Sequence, residues 1–194
     1  MVTIPNAISL VRLLLVPVFL WLLWGAEERV AAAWLLAFLG ATDWVDGYIA
    51  RHFDQGSELG KILDPVADRV LLVAAAVALL VEDLSGAVHV VVAIVLVREV
   101  LIGAATVGLA MAGARRIDVV WAGKAGTLAI MFALPMFLVA DASENVRTVM
   151  NFCGWGFALG GIGLGYYAAA KYVPAARAAI REGRAGRVGV EVQV

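Results

Sequence analysis

Six apolar stretches, at roughly 8–25, 30–51, 61–81, 87–112, 121–140 and 148–170, divide this chain of 194 residues, and no other feature narrows its possible folds more. A bilayer core takes about 20 apolar residues per helix. Inside lipid the backbone must satisfy its own hydrogen bonds, so runs of this length and continuity are expected to be helices. Composition agrees: 63% of the residues are hydrophobic and 16% charged, where a soluble domain would be roughly half apolar and about a quarter charged. The expectation is an all-α integral membrane protein with six transmembrane helices and no room for a second large domain.

Short polar breaks at 27–29, 52–60, 82–86, 113–118 and 141–147 separate the stretches, and their charge is lopsided. One side collects Arg51, Lys61, Arg115, Arg116 and Lys171, together with Arg177, Arg181, Arg184 and Arg187. The other has Arg29 and Arg147 against Glu27, Glu28, Glu82, Asp83, Asp141 and Glu144. By the positive-inside rule the first side is cytoplasmic, with both termini inside a multi-pass protein of the cell membrane. Residues 1–172 then form the transmembrane domain and 173–194 a basic cytoplasmic tail able to meet anionic headgroups. The first helix reads as retained, since Arg12 lies where the apolar core of a signal peptide would be. The single cysteine, Cys153, excludes a disulfide framework and a cysteine zinc site. Nothing points to nucleic acid.

Into this apolar background are set four aspartates, as Asp43-x-x-Asp46-Gly47-x-x-Ala50-Arg51, eight residues, then Gly60-x-x-x-Asp64-x-x-x-Asp68. Ionisable residues in spans are by default functional candidates. Asp43, Asp46 and Ala50 share one face of the second helix, and Asp64 and Asp68 one face of the third. A short loop joins the two helices, so they are expected to be antiparallel neighbours with all four carboxylates gathered near the cytoplasmic surface. Four such groups cannot all stay ionised in a low dielectric without cations. Oxygen ligands favour hard ions, making Mg²⁺ or Mn²⁺ the natural counter-charge. Gly47, Ala50 and Gly60 leave space for a ligand at the backbone, and Arg51 offers a planar fork for phosphate. Singly, each feature has a plainer account: an aspartate paired with Arg12, Arg69 or Arg98, or small residues packing helices. Eight specified positions within 26 residues make those accounts insufficient for the whole.

The stretch from Asp43 to Asp68 resembles the signature of the CDP-alcohol phosphotransferases in every specified residue and spacing, and the opening Pro5-Asn6-x-x-Ser9-x-x-Arg12 resembles bacterial members of that family. The resemblance implies a homodimeric membrane enzyme whose six helices surround a polar cavity open to the cytoplasm. It implies that Asp43, Asp46, Asp64 and Asp68 bind two divalent ions, Mg²⁺ or Mn²⁺, and that Asp68 is also the general base. Gly47, Ala50, Arg51 and Gly60 would shape the CDP site, with Thr42 near the cytidine. The donor would be CDP-diacylglycerol, whose phosphatidyl group passes to a hydroxyl acceptor with release of CMP.

The acceptor is read from the remaining cations, Arg98, Arg115, Arg116 and Lys124, which would line the same mouth and suit an anionic acceptor. Each has a simpler role available: Arg98 pairing with Glu99, Arg115 and Arg116 obeying the positive-inside rule, Lys124 snorkelling to the interface. Arg98-Glu99 and Gly123-Lys124-x-x-Thr127 resemble the phosphatidylglycerophosphate synthase branch, which implies glycerol 3-phosphate. Phosphatidylglycerol, giving cardiolipin, and inositol 1-phosphate stand as alternatives. An intramembrane Mg²⁺-dependent prenyltransferase would need a second acidic motif, absent from the last three stretches. A cation transporter would not need Gly47, Ala50, Arg51 and Gly60 at these spacings.

Overall fold

A computed structural model describes the backbone over residues 4–52, 60–111 and 121–191, and side-chain surroundings over 6–42, 66–104 and 121–171. Six α-helices follow one another: α1 (Ile4–Trp24), α2 (Arg29–His52), α3 (Gly60–Val81), α4 (Gly86–Met111), α5 (Trp121–Ala142) and α6 (Arg147–Glu191). Each coincides with one expected stretch. The exception is the end of α6, which runs unbroken past residue 172, where alanine and arginine favour helix although Pro174, Gly183, Gly186 and Gly189 oppose it. The shortest helix has 21 residues, and at ~1.5 Å per residue it is long enough for a ~30 Å hydrocarbon core. Among the described residues, Asn6–Trp24, Gly86–Ala104 and Trp121–Ala142 are both long and apolar enough to cross a membrane, while Arg29–Thr42 is a shorter apolar run.

The core is built from helical stripes. Phe19 and Leu23 on α1, Leu36 and Leu39 on α2, and Leu72, Ala76 and Leu79 on α3 recur at three- and four-residue intervals and are buried. Val92 on α4 and Leu134 and Phe137 on α5 close the same cluster. The outer faces are equally apolar: Trp34, Trp121 and Phe152 are 70%, 76% and 81% exposed. A soluble protein rarely leaves so much contiguous apolar surface in water, and a bundle immersed in lipid has no reason to hide it.

α5 and α6 form the most extensive helix pair, and glycine makes their approach possible. A Cβ built on Gly126 would lie 2.8 Å from the Gly161 carbonyl oxygen, and one built on Gly161 would lie 2.8 Å from that of Gly126. Without a hydrophobic drive between helices in lipid, such backbone contact is a main source of association. Phe137 then meets Trp155 edge-on, with ring centroids 5.6 Å apart.

α1 packs against both α2 and α3, and α5 touches both as well. Among the described residues α2 and α3 make few direct contacts; the turns beside their short connection, where the four carboxylates are expected to gather, lie outside the described side-chain surroundings. Contacts along the helices fix alternating directions. The start of α2 meets the ends of α3 and α5 through Arg29, whose Nη2 lies 2.7 Å from Glu82 Oε2 and whose Nη1 pairs with Asp141. At the same end His89 turns its ring nitrogens toward the carbonyl oxygens of Ser85 and Glu82, at 3.2 and 3.1 Å.

This clasp lies 14 residues along α3 from Asp68, ~21 Å by helical rise. Arg29→Ala is expected to lower stability by about 1–2 kcal/mol, a partly exposed pair being worth less than a buried one. The check is a melting curve in detergent beside turnover at low temperature: the midpoint should fall while turnover holds. An unchanged midpoint would mean the clasp adds nothing.

Candidate active site

The acidic signature falls on the end of one helix and the start of the next. Asp43, Asp46, Gly47, Ala50 and Arg51 occupy the last turns of α2, and Gly60 and Asp64 the first turns of α3. Helical backbone at these positions puts Asp43 three residues before Asp46, and Asp64 four before Asp68, on common faces. Their side-chain surroundings lie outside the described residues, as do Arg115 and Arg116 altogether. Among the described residues no group of three metal-ligating side chains occurs.

Asp68 is described, and it anchors the site. It stands two turns into α3, partly buried, and its Oδ1 accepts a hydrogen bond from Nη1 of Arg12 on α1. Arg12 is 1% exposed and belongs to the largest wholly buried side chains of the protein. Of the three arginines in reach of an intramembrane aspartate by sequence, the fold selects Arg12. The other two go elsewhere. Arg69 Nε approaches Glu99 Oε2 at 3.8 Å, and Arg98 Nη1 donates to Glu99 Oε1 at 3.0 Å. Glu99 is 7% exposed, so it sits between two guanidinium groups in the interior.

Arg98 departs from the expected open mouth. It is 8% exposed, enclosed where α4 meets α5 and α6. Its Nη1 also reaches Thr127 Oγ1 on α5, at a long 3.5 Å, while that hydroxyl donates to the Gly123 carbonyl at 3.1 Å. Spending its proton on the helix leaves the hydroxyl oxygen free to accept. Lys124, in the first turn of α5, is exposed.

Thr42 is the described end of the α2 signature. Its hydroxyl donates to Leu39 O at 2.7 Å. Together with Phe38 and Leu39 it faces Ile8, Val11 and Leu15 of α1 across a groove of about 350 Å³ that Arg12 also lines. Apart from Arg12 and Thr42 the named walls are hydrocarbon.

Two contributors were not assigned a part in the site by sequence, Arg12 as the partner of Asp68 and Glu99 as the bridge from Arg69 to Arg98. The available signal was their charge within apolar runs, the same signal that marks the aspartates. What the sequence lacked was the pairing.

The arrangement ties the Asp68 carboxylate to a buried guanidinium that also lines an apolar groove, on a helix whose first turns carry Asp64. Such a place can hold a lipid by its tails and do proton and phosphate chemistry at its head. Comparison with known proteins agrees. Residues 2–160 match the family described as CDP-alcohol phosphatidyltransferase. The chain is 34% identical over 184 residues to a cardiolipin synthase (CMP-forming) of Streptomyces coelicolor, covering 92% of this chain and 85% of the relative. It is 35% identical over 179 residues to a CDP-diacylglycerol–glycerol-3-phosphate 3-phosphatidyltransferase of Pseudomonas fluorescens, covering 89% of each. The Escherichia coli K12 protein of the latter description is 36% identical over 138 residues, 70% of this chain and 76% of the relative.

Proposed function

Because the chain belongs to the CDP-alcohol phosphatidyltransferase family, we propose that it transfers the phosphatidyl group of CDP-diacylglycerol to the hydroxyl of glycerol 3-phosphate, releasing CMP. The prenyltransferase and cation-transporter readings fall with the family assignment. The observation that carries the proposal is Asp68, a carboxylate set inside an apolar bundle, oriented by a buried arginine and four residues along α3 from Asp64.

The acceptor hydroxyl oxygen attacks the phosphorus bonded to diacylglycerol, the bond from that phosphorus to the CMP oxygen breaks, and CMP leaves with the bonding electrons. The hydroxyl proton passes to Asp68. A base must lie within hydrogen-bond reach of the proton it takes, and the tie to Arg12 restricts the directions in which Asp68 can point. Four aspartates at helical spacing are a hard oxygen donor set, which fits divalent ions such as Mg²⁺ or Mn²⁺. Asp43, Asp46, Asp64 and Asp68 would hold two of them; bound there, they would offset the charge of the diphosphate. Gly47, Ala50, Arg51 and Gly60 shape the CDP site beside Thr42. The groove between α1 and α2 takes donor acyl chains, its apolar walls leading from the lipid face to Thr42 and Arg12. Arg98, Arg115, Arg116 and Lys124 serve the anionic acceptor, Arg98 from within the bundle.

The whole is a homodimer of six-span subunits around a cavity open to the cytoplasm, with both termini on that side, an orientation the loop charges support. The basic end of α6 projects on the cytoplasmic side, where its arginines can meet anionic headgroups. Phosphatidylglycerol is the second acceptor in view, since the relative named cardiolipin synthase aligns over 92% of this chain.

CMP release by the purified protein from CDP-diacylglycerol and Mg²⁺, with glycerol 3-phosphate, phosphatidylglycerol or inositol 1-phosphate as sole acceptor, tests this reading. Turnover with glycerol 3-phosphate alone is the expected result. Turnover with phosphatidylglycerol alone would keep the chemistry and change the product to cardiolipin. No release with any acceptor would overturn the choice of donor.

A further inference from the structure

Arg98 can lie where it does only because residue 165 has no side chain. A Cβ built on Gly165 of α6 would stand 2.6 Å from Arg98 Nε, 2.9 Å from its Cζ and 3.1 Å from its Nη2. Three atoms of one guanidinium group thus press on a single glycine. Not every glycine of this helix meets such a demand: at Gly156, Gly160 and Gly163 an added Cβ would find nothing within 4 Å, and at Gly161 and Gly154 it would meet α5 and not a charged group. Arg98 supplies an independent observation. Its Nε is buried and has no hydrogen-bond partner among the described residues, while Nη1 is committed to Glu99 and Thr127. A buried N–H left unmet is costly and uncommon, and it calls for an explanation.

We propose that Gly165 is a positioning residue for the acceptor site, holding open the place in which the Arg98 guanidinium lies flat against α6 with its Nε available to an anionic acceptor. The inference rests on the assignment of Arg98 to the acceptor in the preceding section. α4 brings the arginine, α5 brings Thr127 to take one Nη1 hydrogen, and α6 contributes bare backbone. Arg69 links this group to α3, because it reaches Glu99 at 3.8 Å and lies against Gly103, where a Cβ would be 3.2 Å from Arg69 Nη1. Arg69 directly follows Asp68 in the chain. A shift of Arg98 therefore acts on the acceptor pole of the site, while Asp68 keeps its separate tie to Arg12.

The test is a double-mutant cycle on the full chain in detergent, comparing Gly165→Ala, Arg98→Ala and the double variant, with Gly163→Ala as the control. A methyl at 165 drives the guanidinium away from its 2.6 Å approach toward ordinary contact distance. Displacements of this size cost about 10- to 100-fold in a positioned site. The expected result is that Gly165→Ala raises the acceptor KM by about 10-fold or more and leaves the KM for CDP-diacylglycerol within about twofold, and that this effect disappears in the Arg98→Ala background. Gly163→Ala should change neither constant. Equal rises in both KM values, or a Gly165→Ala effect that persists without Arg98, would overturn the proposal.

Melting midpoints of the same four proteins read the contact independently of any acceptor. If Gly165→Ala prevents folding, recovery of the fold by the added Arg98→Ala supports the contact, and failure to recover it overturns it. A cycle that couples the two residues in melting while the acceptor KM stays put would confirm the contact and defeat the assignment of Arg98 to the acceptor, so the two claims fail separately.

Discussion

Asp68→Asn is expected to lower phosphatidyl transfer by about 10³-fold or more while leaving a folded protein. Removal of a general base by itself costs about 10²- to 10⁴-fold, and here the same carboxylate is assigned to hold a divalent ion. Asparagine keeps the shape and can still accept from Arg12 through its amide oxygen, so the tie between α1 and α3 is weakened rather than abolished. The accompanying loss of stability should be about 1–3 kcal/mol, the range for a hydrogen bond to a charged group. Measuring CMP release beside the melting midpoint separates catalysis from architecture. Were Asp68 only the structural partner of Arg12, the residual activity would track the folded fraction, and conditions that restore folding would restore turnover.

Arg12→Ala should be the second largest effect. The guanidinium is almost wholly enclosed, and its Nη1 directs Asp68. Deleting it empties a large buried volume and releases the carboxylate to other rotamers. Misplacement of a catalytic group by about 1 Å is worth roughly 10²-fold in rate, and loss of a pair in which Asp68 keeps 27% exposure should cost about 1–3 kcal/mol, below the range for fully buried pairs. Arg12→Lys keeps the charge without the planar fork and should fall between wild type and Arg12→Ala in both rate and midpoint. A lysine variant equal to wild type would show that charge alone, without directional hydrogen bonding, is what Asp68 needs.

Both predictions concern a contact that the chain does not announce. Arg12, Arg69 and Arg98 are equally plausible mates for an aspartate by sequence, since each is a cation in an apolar run. The choice depends on which helix faces which, and α1, lying against both α2 and α3, settled it. Arg98 was legible as a cation able to pair with Glu99, and their pairing is seen at 3.0 Å. Its enclosure by α5 and α6 was not legible, because that depends on Gly165, which lies 67 positions away in sequence.

What the sequence determined by itself was everything governed by local chemistry. Apolar runs of about 20 residues must become helices in lipid, and six helices stand where the six runs predicted them. The aspartate signature pointed to the family by resemblance, and its i, i+3 and i+4 spacings place those residues on common helix faces whatever surrounds them. What only the tertiary structure decided were the pairings between helices: Asp68 with Arg12, Glu99 with Arg69, Arg98 against Gly165. An ionisable group in an apolar interior must find a partner, but its reach of a few ångströms selects that partner only after the helices have packed.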